Sequence, residues 1–171
     1  MIKIKGKKIW LALICILILV LMMFFHILFK SGLLFNNNQK RYNAEILYQY
    51  KTPYVGNNSK VINIVNNLLY DNFRQVIFLK TDSLPYSIII NYSFQDTELS
   101  FKDIEKPFYK NTVLLFALID NVDIVNYNII INDKIIEYEY LREKVQKYYD
   151  KDLRQNKKSL EKFKKFVTTL N

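Results

Sequence analysis

From residue 30 to its end the chain contains no cysteine, no histidine and no tryptophan. Cys15, His26 and Trp10 are the single representatives of those residues, and all lie in the first thirty positions. Disulfides are thereby excluded from the larger part, although an exported chain could have used them. So are Ser-His-Asp and Cys-His nucleophile chemistry, histidine general acid–base work and the usual zinc sites. Of three glycines only Gly56 falls beyond residue 32, which leaves no Gly-rich phosphate cradle. The sequence calls for no cofactor and no metal. Carboxylate or Ser-Lys chemistry stays formally open, and no spacing argues for it.

The feature most strongly present is an unbroken apolar run over residues 9–29, IWLALICILILVLMMFFHILF, behind the basic stub MIKIKGKK. At about 1.5 Å per residue such a helix spans roughly the 30 Å hydrocarbon core of a bilayer. Lys3, Lys5, Lys7 and Lys8 precede the run and only Lys30 closely follows it, so the positive-inside rule leaves the N-terminus cytoplasmic. The run is longer than a signal-peptide core, and Ser31-Gly32 after it lacks small-x-small spacing, which favours an uncleaved anchor. Leu13-Ile14 before Cys15 argues against lipoprotein processing, and His26 sits near enough to the outer end to reach the interface. The expected organisation is a stub at 1–8, a transmembrane helix at 9–29, a tether at 30–44, an exported domain at 45–153 and a basic C-terminal helix or tail at 154–171. The outer part is long enough for one domain with a real core.

Charge is unevenly distributed. Of 25 basic and 16 acidic residues, ten basic and four acidic lie between Leu141 and Asn171, and residues 9–140 are near neutral. Lys157, Lys158, Lys162, Lys164 and Lys165 are therefore candidates for contact with anionic headgroups or wall polymers. A solvated helix face accounts for the same residues. No aromatic code interleaves them, so nucleic acid is not an expected partner. Abundant Asn, Ile, Lys and Tyr, residues of AT-rich codons, point to a low-GC bacterium.

Glu45 to Tyr50 reads as an edge strand or part of the tether. In Lys51 to Ser59, KTPYVGNNS, Pro53 biases Thr52 to extended geometry, Gly56 permits a positive φ, and Asn58 or Ser59 is a good N-cap. A helix follows with Val61, Ile64, Val65 and Leu68 on one stripe. Strands are expected at Arg74 to Lys80 and Leu84 to Phe94, joined through Thr81-Asp82-Ser83. Pro107 suits the first turn of a buried helix over about Phe108 to Ile119. Val122 to Ile131 and Lys134 to Tyr140 form a hairpin around Asn132-Asp133, with an amphipathic helix at Leu141 to Leu153 and a basic one at Ser159 to Leu170. The fold class is α+β, an antiparallel sheet with helices on one face. The order helix, strand, strand, occurring twice, suggests a duplicated unit.

The segments KTPYVGNNSKV (Lys51 to Val61) and LLFALIDN (Leu114 to Asn121) resemble a bacterial family known as domain of unknown function 4825. With the strand Ser87 to Tyr92 and the helix after Tyr140, the likeness covers about residues 45–153. It implies an exported or membrane-anchored domain of a Gram-positive bacterium, in a family some of whose members are attached to sensor-type membrane proteins. The family tends to have a proline after the first helix, where this chain has Leu69-Tyr70. It has no established catalytic residues, so none is carried over.

Tyr54, Gly56, Asn57, Asn58 and Ser59 form the candidate binding loop, with N–H groups at a helix N-terminus facing an anionic or carbonyl ligand. The same residues also suit a tight turn into a capped helix with Tyr54 plugged into the core, and capping alone accounts for their types. The expected function is non-enzymatic: a single-pass, extracytoplasmic binding or sensory domain acting through a membrane-protein partner or an envelope ligand. A carboxylate hydrolase built on Asp96 with Glu98, or Asp120 with Asp123, is the alternative enzyme reading. A structural subunit of a membrane complex is the third, though the run lacks a small-xxx-small motif.

Overall fold

The computed structural model describes residues 10, 14, 16–23, 41–95 and 99–171. The stub, the flanks of the apolar run, the tether to residue 40, and the pair Asp96 with Glu98 lie outside the described residues. The chain divides into two units, Met1–Gln39 and Lys40–Asn171. In the first, residues 10, 14 and 16–23 are helical and their side chains are exposed. Among the described residues no helix is long and apolar enough to cross a membrane.

The second unit begins with α1, Ala44–Gln49, where the sequence suggested a strand or tether. The side chain of Asn43 accepts the Ile46 N–H, and Ala44 and Leu47 share the buried face, so capping and spacing together decide for helix. Helix α2, Asn58–Val65, buries Val61, Ile64 and Val65, and Leu68 continues the stripe beyond its end. Its cap is Asn57, one or two residues earlier than expected.

Helix α3, Phe101–Leu118, starts well over a turn before Pro107, which lies inside it. The backbone N–H and hydroxyl of Ser100 both donate to the Asp103 carboxylate, at 2.7 and 2.6 Å, and this fixes the earlier start. The turn around Lys102 to Lys106 is largely exposed, so the carbonyl that Pro107 leaves unbonded can face water. From Asn111 onward the helix is buried throughout.

The sheet has strands β1 (Arg74–Lys80), β2 (Ser87–Phe94), β3 (Ile124–Ile131) and β4 (Lys134–Leu141) in sequential order. The outer pairs are antiparallel as expected, but β2 and β3 run parallel, so the sheet is mixed. The chain leaves the far end of β2, crosses back through α3 and enters β3 beside the start of β2, as a parallel neighbour requires. This also bears on the duplication. Two hairpins related by translation across the sheet would set β3 antiparallel to β2; the observed parallel pair does not follow from that operation.

One sheet face is dry: Ile88, Ile90, Tyr92 and Phe94 of β2 and Val125, Tyr127 and Ile129 of β3 are buried beneath α3. Phe108 anchors the contact, its ring 4.8 Å from Tyr92 and 4.7 Å from Tyr127. The other face, with Phe78, Asn91, Asn126, Asn128 and Ile135, stays at least partly exposed. The hairpin turn is as read from sequence, with Asn132 at φ 45° and Asp133 at φ 66°.

The expected long helix at Leu141 to Leu153 is instead short. Helix α4 spans Arg142–Gln146, and a 3-10 helix follows at Leu153–Lys158. The Gln146 amide donates to the Tyr149 and Lys151 carbonyls and accepts the Leu153 N–H, wrapping the chain into a loop that competes with helix. Helix α5, Leu160–Leu170, is capped by Ser159 and buries Phe163, Val167 and Leu170. It packs against α1: Tyr48 meets Phe163 at 5.9 Å, Lys164 pairs with Glu45 at 2.9 Å, and Asn171 accepts the Tyr42 N–H at 2.8 Å. The C-terminal segment is thus integral to the fold.

Candidate functional site

The C-terminus of α3 ends in extended backbone at Ile119, without a glycine cap, and so exposes carbonyls that other groups must satisfy. The Leu118 carbonyl accepts the Thr52 N–H at 3.0 Å, and the Asp120 N–H donates to Thr52 at 3.1 Å, a short parallel bridge. Arg142 does most of the remainder. Its guanidinium donates to the carbonyls of Val122, Phe116 and Ile119 at 2.6, 2.8 and 2.7 Å, and sits over the Phe116 ring. Lys157 adds a bond to Leu118 at 3.0 Å and an ion pair with Asp120 at 2.7 Å. Two cations at a helix C-terminus also suit its dipole. Burial lowers the Arg142 pKa to about 10, which leaves it fully charged at neutral pH.

The segments KTPYVGNNSKV and LLFALIDN meet at this joint. Besides the Thr52 bridge, the Asn121 side chain accepts the Val55 N–H at 2.6 Å, and Val55 is buried. Tyr54, expected as the core plug, is 66% exposed, and Val55 fills that role because the turn points its neighbour inward. Gly56 does not adopt a positive φ; a Cβ there would meet only Thr81 Cγ2 at 3.8 Å. Asn57 accepts the Lys60 N–H as cap, while Asn58 and Ser59 lie exposed beside it. Tyr54, Asn58 and Ser59 thus form one outward-facing rim above the joint, with Asn57 turned to the cap.

Beside the joint lies a cleft of about 430 Å³ lined by Asp123, Arg142, Glu143, Gln146, Asp152 and Arg154, among others. Both of its aspartates are engaged. Asp123 accepts the Tyr86 N–H at 2.9 Å, and Asp152 is clamped by Arg154, whose hydrogen bonds hold its pKa down to about 2. The suggested pair Asp120 with Asp123 is therefore divided between Lys157 and the Tyr86 backbone. Among the described residues no cluster of His, Cys, Asp or Glu is arranged to hold a metal.

The five candidate lysines separate into two groups. Lys157 is half-buried and committed to α3, and Lys164 is tied to Glu45 and, at 3.8 Å, to Glu161. Lys158, Lys162 and Lys165 are exposed. Arg142, Asn121 and Asn111 were missed by the sequence reading. Asn111 is buried within an apolar helix, accepting from the Tyr42 hydroxyl and the Leu69 N–H and donating to the Leu69 carbonyl. A polar residue next to a continuous apolar run was the available signal. The Leu69–Tyr70 turn that replaces the expected proline is held by this side chain, with Tyr70 at φ 65°.

No curated protein and no solved structure matches the chain. The family model described as Domain of unknown function (DUF4825) matches residues 47–142, a span that includes both segments of the joint and ends at Arg142. The chain belongs to the DUF4825 family.

Proposed function

We propose that this protein is a membrane-anchored, extracytoplasmic binding or sensory domain of a bacterial envelope, non-enzymatic, acting through a membrane-protein partner or an envelope ligand. One observation carries the anchor: residues 16–23 are helical, all are Ile, Leu, Val or Met, and every one is exposed. A helix apolar on all sides requires apolar surroundings. With the rest of the run at 9–29 and the basic stub before it, the bilayer is the surrounding of choice, N-terminus inside. Recognition is assigned to the rim Tyr54, Asn58 and Ser59, whose side chains are exposed while the adjoining backbone is held on the joint and Asn57 caps α2. The engagement of Asp120, Asp123 and Asp152 in structural contacts favours binding over carboxylate catalysis.

Alkaline carbonate extraction of the full chain, with protease added to intact protoplasts, tests the anchor. Retention in the pellet with the domain cleaved from outside is expected, and release into the supernatant would refute it. A crosslinking pull-down from native membranes tests recognition. Tyr54→Ala is expected to lose a specific partner without loss of stability, and an unchanged partner set would remove the rim from the site.

A further inference from the structure

We infer that the face of α5 bearing Lys162 and Lys165, together with Lys158 just before it, docks on an anionic lipid surface. All three lysines are exposed, and no ion pair engages them among the described residues. Their neighbours Lys157 and Lys164 are exposed less and are paired with Asp120 and Glu45. The fold thus uses two cations internally and leaves three outward, with Glu161 the one acid in the stretch. Lys162 and Lys165 lie about one turn apart, on a helix whose opposite side is fixed by Phe163, Val167 and Leu170. A rigid basic face is complementary to a flat layer of phosphate headgroups.

Chain connectivity favours the same occupant, and this step rests on the anchored reading. Helix α5 is pinned to the start of the domain by the Asn171–Tyr42 and Lys164–Glu45 contacts. At most about 45 Å of fully extended chain separates Tyr42 from the end of the apolar run. The lysine face is therefore confined to the neighbourhood of the bilayer, which raises its effective concentration there.

Residues 40–171 form a compact unit with their own core and can be tested without the anchor. The experiment is co-sedimentation of this unit with vesicles of equimolar phosphatidylcholine and phosphatidylglycerol, against vesicles of phosphatidylcholine alone. Binding to the anionic vesicles only is expected, weakening with added salt. Each lysine contributes about fivefold, so joint Lys158→Gln, Lys162→Gln and Lys165→Gln should weaken binding about a hundredfold at unchanged thermal stability. Lys157→Gln should do the reverse, lowering stability with less than a fivefold effect on binding. Equal binding by the triple variant would overturn the inference, as would equal binding to neutral vesicles or none to anionic ones. Retention of a soluble polyanion without vesicle binding would transfer the face to a wall polymer and equally overturn it. Because no anchor is present, failure here leaves the carbonate result untouched, and the converse also holds.

Discussion

Replacing Arg142 by methionine keeps most of the side-chain volume and removes every donor. Three carbonyls then lose their partner: Phe116 and Ile119 at the end of α3 and Val122 in the turn before β3. The helical partner of Phe116 would be the Asp120 N–H, but that group is committed to Thr52, so no backbone donor can step in. A hydrogen bond from a charged group contributes about 1.5–3 kcal/mol, and the three share one guanidinium, so their losses do not add fully. About 3–4 kcal/mol is the expected destabilisation, a large part of the 5–15 kcal/mol typical of a domain. For a unit of this size that lowers Tm by about 10–15 °C. Thermal unfolding of residues 40–171 followed by helical circular dichroism measures it. Arg154→Met is the control, since its ion pair with Asp152 is solvent-exposed and worth about 1 kcal/mol or less. A fall below about 3 °C for Arg142→Met, or one no larger than the control, would refute the account of the joint.

Gly56→Ala should be neutral or stabilise by about 0.4–1 kcal/mol in urea unfolding, since the site has room and no positive φ; a clear loss would contradict that backbone assignment. Asp133→Gly should stabilise by about 0.5 kcal/mol in urea unfolding, because Asp133 sits at φ 66° in a turn that favours Asn-Gly. Acid sensitivity should include a contribution from Asp152. Its pKa is held at about 2 in the folded state, below the unfolded value, so its stabilisation is present above about pH 4 and is lost as pH falls through 2. With a third of the side chain exposed, that contribution is at most about 1 kcal/mol. The stability difference between the wild type and Asp152→Asn should close between those pH values, and a difference constant with pH would assign the loss to something else.

Where one face of one element decided its structure, the sequence was sufficient. The stripe Val61, Ile64, Val65 and Leu68, the strand Arg74 to Lys80, and Asn132-Asp133 at the hairpin are observed as read. Readings failed where a side chain's hydrogen bonds to nearby backbone overrode the preference read from proline or periodicity. The Asp103 carboxylate extends α3 past the Pro107 signal, and Gln146 diverts the chain after α4 from the helix its periodicity favours. Relative strand direction was illegible for a different reason: hairpin patterning specifies neighbours within a hairpin, whereas the parallel β2–β3 pair depends on how α3 crosses the sheet. Within the candidate site, residue types suited to capping and residue types suited to recognition coincide, so the sequence could not separate Asn57 from Asn58.

Burial and hydrogen bonding make that separation. The scarcity of glycine, first read as excluding a phosphate cradle, has a structural counterpart at the end of α3. With no glycine to cap the helix, its carbonyls are satisfied by Thr52, Arg142 and Lys157, three residues far apart in sequence. Thr52, Val55, Asn57 and Asn121 are thereby accounted for by the joint or the cap of α2. Tyr54, Asn58 and Ser59 are not: their side chains face outward and their removal should leave the joint intact. The fixed residues hold the backbone of the loop, and the exposed ones are the side chains it offers to a partner under the proposed function. A partner lost on Tyr54→Ala but retained on Gly56→Ala would locate recognition in the side chains of the rim. Loss on both would locate it in the backbone of the turn.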